Sequence, residues 1–137
     1  MSAYDGIQKL KIGGSAVLID GKLYDYDVIS PALAPGVPNF VGFVEGNLFI
    51  SGGVPRRFRR PILAHEVRCF ALKGEGHTGH CVCAVDYELK FVLAEDRPEY
   101  LALRRKFFND LIQFSHGADA TFMREIVASR DYLYKLT

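Results

Sequence analysis

Cysteine is scarce in this sequence, and the three that occur fall within one short stretch, at Cys69, Cys81 and Cys83. A secreted scaffold held together by disulfides needs more cysteines, spread more evenly along the chain. The odd number and the clustering therefore exclude that class of protein. They favour free thiols or metal ligands.

Long apolar runs are missing as well, since no stretch approaches the ~18 uninterrupted apolar residues of a membrane span. The N-terminus has neither the basic nor the apolar region of a signal peptide. The formal net charge is only +1, so no overall positive field attracts nucleic acid. The basic run 56–60 indicates a solvated helix face rather than a phosphate-binding patch. We expect a cytoplasmic protein without a membrane or nucleic-acid partner.

What remains is an ordinary globular composition. About half of the residues (49%) are hydrophobic, which is enough to bury one core. No repeat, low-complexity tract or linker divides the chain, so we predict a single domain over residues 1–137. Strand patterns dominate residues 1–53 and helix patterns dominate residues 54–137. This order predicts an α+β fold, with a small, mostly antiparallel sheet packed on three to four helices.

Two hairpins are predicted in the first half. Asp20-Gly21 separates two strand-like segments, and this dipeptide suits the type I′ turn, which needs positive φ at both central residues. The second hairpin joins the segments 40–44 and 48–51 through a connection that contains glycine. The proline-rich stretch 30–39 between the hairpins predicts a loop.

The second half predicts helical segments over about 55–72, 78–94 and 96–114, and from 120 onward. Pro61 interrupts the first, so that this helix either kinks there or begins there. Asp96 and Glu99 have the spacing of a capping box at the start of the third. Asp119 is expected to cap the last helix.

The chemistry-bearing residues lie in the first of these helices. His65 and Cys69 are four residues apart, so their side chains share one helix face, and both residue types bind zinc. Glu66 is offset by one residue and could act next to a metal without ligating it. The pattern is that of H-E-x-x-H with cysteine in the last position.

Glu88 falls on the apolar side of the following helix, whereas Asp86 falls on its polar side. A carboxylate in an apolar environment needs a metal, a cation or several hydrogen-bond donors. Glu88 is therefore a candidate third ligand. The alternative is a buried ion pair with an arginine such as Arg68.

The segments 47–51, 54–55 and 59–66 together resemble the small zincin metallopeptidases, in particular the minimal gluzincin-type scaffolds. The resemblance covers about residues 40–92. It implies a zinc cofactor and an edge strand before the active-site helix. It also implies ligand roles for His65 and Glu88 and a general-base role for Glu66.

The sequence departs from that family at Cys69, which replaces the second histidine. A thiolate ligand makes the metal a poorer Lewis acid, so metal binding can survive while peptidase activity is weakened. His77 or His80 could take over as a ligand. The sequence thus predicts a metallopeptidase-like hydrolase with Glu66 as catalytic base and these metal ligands: His65, Cys69, Glu88 and His80.

Three alternatives remain open. One is a structural zinc bound by a cysteine and histidine cluster, although the usual C-x-x-C pair is absent; its members would be Cys69, His77, His80, Cys81 and Cys83. Another is a catalytically inactive zincin-like scaffold that binds a peptide or protein partner along the strand before the helix. In the third, the cysteines are simply small buried hydrophobic residues.

Overall fold

Over residues 2–115 and 117–136, which the computed structural model describes, the chain forms four strands and five α-helices. The strands are β1 (Lys11–Ile19), β2 (Lys22–Ile29), β3 (Val41–Val44) and β4 (Asn47–Ser51). The helices are α1 (Ala3–Gln8), α2 (Arg56–Gly74), α3 (His80–Leu89), α4 (Arg97–Gln113) and α5 (Ala120–Lys135). The predicted α+β fold is confirmed. None of the helices in the described ranges is long and apolar enough to cross a membrane.

Both predicted hairpins are confirmed. Asp20 and Gly21 join β1 to β2 with φ values of 49° and 78°, as a type I′ turn requires. Glu45 and Gly46 join β3 to β4 with φ values of 52° and 79°. The strand order is β1-β2-β4-β3, in which only the β2–β4 pair is parallel. The sheet is therefore mostly antiparallel, as expected.

This strand order places β4 inside the sheet. β4 pairs with β2 on one side and with β3 on the other. The strand directly before α2 consequently has no free edge, and the hypothesis that it offers a docking edge for a peptide is wrong. The sheet edges are β1 and β3.

The structure decides one alternative that the sequence left open and differs from the predicted helices in two places. α2 begins at Arg56 and continues through Pro61, so its first turn is not a separate element. α3 ends at Leu89, earlier than predicted. The six-residue α1 was not predicted, because so short a helix has little stability of its own and depends on burying Tyr4 against the core.

One predicted helix cap is wrong and the other is confirmed. Asp96 has a helical backbone (φ −90°, ψ −10°) and its side chain makes no capping hydrogen bond. Instead, Arg57 contacts Asp96 and lies 2.5 Å from the Glu99 carboxylate. Asp119 does cap α5, since its Oδ1 accepts a hydrogen bond of 2.8 Å from the Phe122 N–H.

Asp119→Ala should lower the free energy of unfolding by about 1 kcal/mol, because the N–H group that Asp119 binds loses its partner. Urea denaturation followed by circular dichroism measures the difference. Asp131→Ala is the control, since Asp131 is exposed and, among the described residues, its side chain forms a hydrogen bond and an ion pair only with its neighbour Arg130. Equal effects of the two substitutions would contradict a capping role for Asp119.

α2 lies in the middle of the molecule, with two apolar clusters around it. The first cluster fills the space between the sheet and α2, and includes Ile19, Tyr26, Val28, Ile50, Phe58 and Ile62. The second joins α3, α4 and α5 to strand β4, and includes Phe49, Cys81, Val85, Leu101, Phe108 and Ile126. Cys69 packs against the second cluster. The polar residues predicted on α2 therefore face the other helices rather than the sheet.

Candidate metal centre

A histidine and two cysteines meet between α2 and α3. The metal-binding atoms of His65, Cys69 and Cys81 all lie within 4.8 Å of one another. Nε2 of His65 is 3.6 Å from Sγ of Cys81. His65 and Cys81 are buried and Cys69 is partly buried. This group could hold a metal ion.

The helix patterns explain how these side chains meet. His65 and Cys69 lie one turn apart on α2 and share a face. The buried stripe of α3 contains Cys81, Ala84 and Glu88, which are spaced by three and four residues, and its small Ala84 allows α2 to approach. From the sequence, Cys81 was a candidate ligand only in the alternative cluster. Its position two turns before Glu88 on the same face was the signal that could have found it.

Glu88 is fully buried, as the helical pattern predicted. Its Oε1 lies 2.7 Å from Nδ1 of His65, and its Oε2 accepts hydrogen bonds from Tyr100 Oη and, at 2.9 Å, from Arg104 Nε. Glu88 thus lies behind His65 rather than among the atoms that could bind a metal. The buried ion pair expected as an alternative forms with Arg104 and not with the exposed Arg68.

Neighbouring charges of opposite sign shift the pKa values of Glu88 and His65. Burial by itself would raise the pKa of Glu88, but the Arg104 guanidinium and His65 hold it below its usual range. Burial would lower the pKa of His65, but the Glu88 carboxylate and the Cys81 sulfur raise it to about 10. The carboxylate therefore stabilises the positive charge of His65 from the Nδ1 side, and Nε2 is directed at the sulfur of Cys81.

A second histidine repeats this arrangement. Nδ1 of His80 lies 3.0 Å from Sγ of Cys69, and its Nε2 lies 3.5 Å from the carboxylate of Glu125. That carboxylate is fixed in turn by the N–H of Gly79, at 2.8 Å. His65 and His80 thus each direct one ring nitrogen at a sulfur and the other at a carboxylate. Histidines that ligate metals usually have such a partner on the second nitrogen.

The two thiols are electrostatically unequal. A hydrogen bond from Cys69 lowers the pKa of Cys81, and the positive charge of His65 acts in the same direction, against the effect of burial. The same hydrogen bond, together with burial, raises the pKa of Cys69. Cys81 is therefore the more acidic of the two thiols.

Two residues of the alternative cluster lie elsewhere. Cys83 is exposed. His77 is also exposed, and its Nε2 lies 3.3 Å from the carboxylate of Glu75. The structure thus joins Cys81 from the alternative cluster to His65 and Cys69, and it leaves His77 and Cys83 outside.

A cavity of about 320 Å³ opens onto this centre. Its polar lining residues are His65, Glu66, Cys69, His80, Cys81, Arg104 and Glu125. Glu66 is partly buried and forms no hydrogen bond or ion pair with any other residue in the described part of the chain. Burial raises the pKa of Glu66, although the charges of His65 and Arg104 act in the opposite direction. An unpaired carboxylate thus lies beside the candidate ligands.

Comparisons of the chain with family models, with curated proteins and with solved structures gave no match. The resemblance to zincins therefore stays a prediction. Function has to be inferred from the chemistry of the side chains around His65.

Proposed function

We propose that this chain is a zinc-dependent hydrolase in which His65, Cys69 and Cys81 hold the ion and Glu66 is the general base. One observation carries the proposal: the three candidate ligands and an unpaired carboxylate line the same cavity. Catalytic zinc sites commonly use three protein ligands and leave a further position open to water or substrate. A purely structural site would have no need of the adjoining cavity.

Zinc fits the donor set. It is a borderline-soft ion that accepts both thiolate and imidazole. In tetrahedral zinc sites with ordinary bond lengths, a nitrogen and a sulfur ligand are about 3.6 Å apart. The observed separation of His65 Nε2 and Cys81 Sγ is 3.6 Å. Glu88 supports this geometry by fixing the orientation of the His65 ring.

In the proposed reaction, the ion, Glu66 and the apolar cavity walls would have separate roles. When bound, the ion would supply Lewis-acid polarisation of the scissile carbonyl group. Glu66 would accept a proton from the attacking water and return it to the leaving group. The apolar walls of the cavity favour a peptide substrate with an apolar side chain; they include Val37, Phe40, Phe108 and Ile126. Because two thiolates reduce the Lewis acidity of zinc, we expect slow turnover.

Metal analysis of protein purified without a metal-affinity tag tests the centre. We expect about one zinc ion per chain in the wild type. Cys81→Ala should lose it, because one of three ligands is removed. Cys83→Ala is the matched control: it removes an exposed thiol two residues away on the same helix and should keep the ion. Equal zinc content in the two variants, or a wild type without zinc, would refute the centre.

The same measurement on His80→Ala separates an open centre from a closed one. If three side chains hold the ion, this variant keeps its zinc, since His80 then acts only on Cys69. Loss of zinc in His80→Ala would mean four protein ligands and a closed, structural site. The hydrolase proposal would then fail while the metal centre stands.

A second candidate function uses the same atoms without a metal. Cys81, His65 and Glu88 form a thiol, imidazole and carboxylate series, with steps of 3.6 Å and 2.7 Å. With its proton already on His65, Cys81 would attack an acyl carbon as the thiolate and form a thioester. His65 would pass that proton to the leaving amine, and water would then hydrolyse the thioester. Metal-free protein whose hydrolytic activity is lost on alkylation of Cys81 would favour this candidate.

A further inference from the structure

The basic run 56–60, which the sequence predicted to be a solvated helix face, contains two pairs of arginines with different surroundings. Arg57 contacts Glu99, and Arg60 donates a hydrogen bond to a backbone carbonyl of β1. Arg56 and Arg59 lie one turn apart and line a second cavity, between α2 and the strands β1 and β2. This cavity shares no lining residue with the one at the metal centre.

Small residues on β1 create the space. The cavity measures about 350 Å³. Gly13 pairs with Val28 and Ser15 pairs with Tyr26, so all four positions are on the sheet face that packs against α2. Tyr26 and Val28 belong to the buried cluster under the helix, whereas Gly13 and Ser15 fill almost none of the remaining space. A pocket remains between the edge strand and the two arginines.

The charges in this pocket are unbalanced. No carboxylate belongs to its lining in the described part of the chain, and neither Arg56 nor Arg59 forms an ion pair there. Nε of Arg59 is buried without a hydrogen-bond partner. Asp27 pairs with Gly14 of the pocket lining. Its carboxylate already forms an ion pair with Lys11 at 3.0 Å and accepts a hydrogen bond from Tyr4 Oη. A buried donor without an acceptor is destabilising, so a ligand that brings an anionic oxygen to this pocket would satisfy it.

We propose that the pocket binds the phosphoryl group of a small phosphorylated molecule. Two guanidinium groups on one helix turn present several N–H donors in the planar geometry that suits phosphate oxygens. The volume lies within the range of about 300–1,000 Å³ that is usual for small-molecule sites, and it exceeds the needs of a free phosphate ion. Tyr26 and Val28 offer an apolar wall for the organic part of the ligand.

Calorimetric titration with phenyl phosphate at low ionic strength tests this site in the full chain. We expect saturable binding of one molecule, weakened about tenfold or more in Arg59→Gln, because a charge-assisted hydrogen bond is lost. Arg57→Gln is the matched control. This variant has the same net charge as Arg59→Gln, and Arg57 lies on the same helix turn but outside the pocket. Its affinity should stay within about twofold of the wild type, as expected for a screened surface charge.

A second variant fills the pocket without changing its charge. A side chain added at Gly13 would begin 3.8 Å from Cβ of Val28, which is ordinary contact, and valine suits a strand. Gly13→Val should therefore fold and lose phenyl phosphate binding. The proposal is overturned if the wild type shows no saturable binding, or if Arg57→Gln weakens it as much as Arg59→Gln. It is also overturned if benzoate or inorganic phosphate binds as tightly as phenyl phosphate.

Discussion

Arg104→Met is expected to lower the free energy of unfolding by about 3–5 kcal/mol, because it removes the cation that contacts both oxygens of a buried carboxylate and leaves that charge only the His65 ring. Arg104 and Glu88 are both completely buried. Arg104 donates to both carboxylate oxygens, over 2.9 Å from Nε and 3.3 Å from Nη2. Methionine fills much of the same volume, so the loss reports on charge more than on packing. Urea denaturation at equilibrium measures the effect.

Arg68→Met is the control for this experiment. Arg68 is exposed and lies over the ring of Tyr87, so its loss should cost less than about 1 kcal/mol. The double variant with Arg104→Met and Glu88→Leu should recover part of the stability, because the buried ion pair is then removed as a whole and only His65, which can lose its proton, is left without its carboxylate. A cost below about 1 kcal/mol for Arg104→Met would show that the two residues do not form a buried pair.

Glu66→Gln is expected to reduce kcat/KM for peptide hydrolysis by about 10²–10⁴-fold while zinc content stays unchanged, because general-base catalysis is lost and no ligand is removed. A library of quenched fluorescent peptides that contain apolar residues supplies the substrate. Zinc is measured on the same samples. Glu75→Gln is the control, since Glu75 is exposed near the end of α2 and does not line the cavity.

Two results would change the interpretation in different ways. If Glu66→Gln cleaves peptides at the wild-type rate, Glu66 is not the base, although the metal centre remains. If zinc-loaded wild-type protein cleaves none of the peptides, the inactive scaffold becomes the better hypothesis. A partner would then have to dock elsewhere than on β4, whose two edges are both paired.

Features that depend on neighbouring residues could be predicted from the sequence. Asp20-Gly21 determines its own hairpin because only a few residue types accept positive φ at both turn positions. The burial of Glu88 followed from helical periodicity alone. The parallel pairing of β2 with β4 could not be predicted in this way, because it depends on the path of the segment 30–46, which places β3 at the sheet edge and β4 between β2 and β3.

The same distinction applies within the candidate site. The spacing of His65 and Cys69 revealed that they share a helix face, since four residues make about one turn. The carboxylate partners of the two histidines could not be predicted. Glu88 contacts His65 and is stabilised by Arg104 of α4, and Glu125 of α5 contacts His80. Such contacts depend on how the helices pack against one another, and no pattern in a single sequence indicates which helices become neighbours.

The positions of these groups along the chain bear on the order of events during folding. The candidate ligands all lie within residues 65–81, on two helices joined by a short connection. Closing so short a loop costs little entropy, so the α2–α3 pair can capture an ion before the C-terminal helix arrives. Glu125 can join only when α5 docks. A captured ion is therefore expected to speed folding itself, by forming early a nucleus on which the last helix assembles.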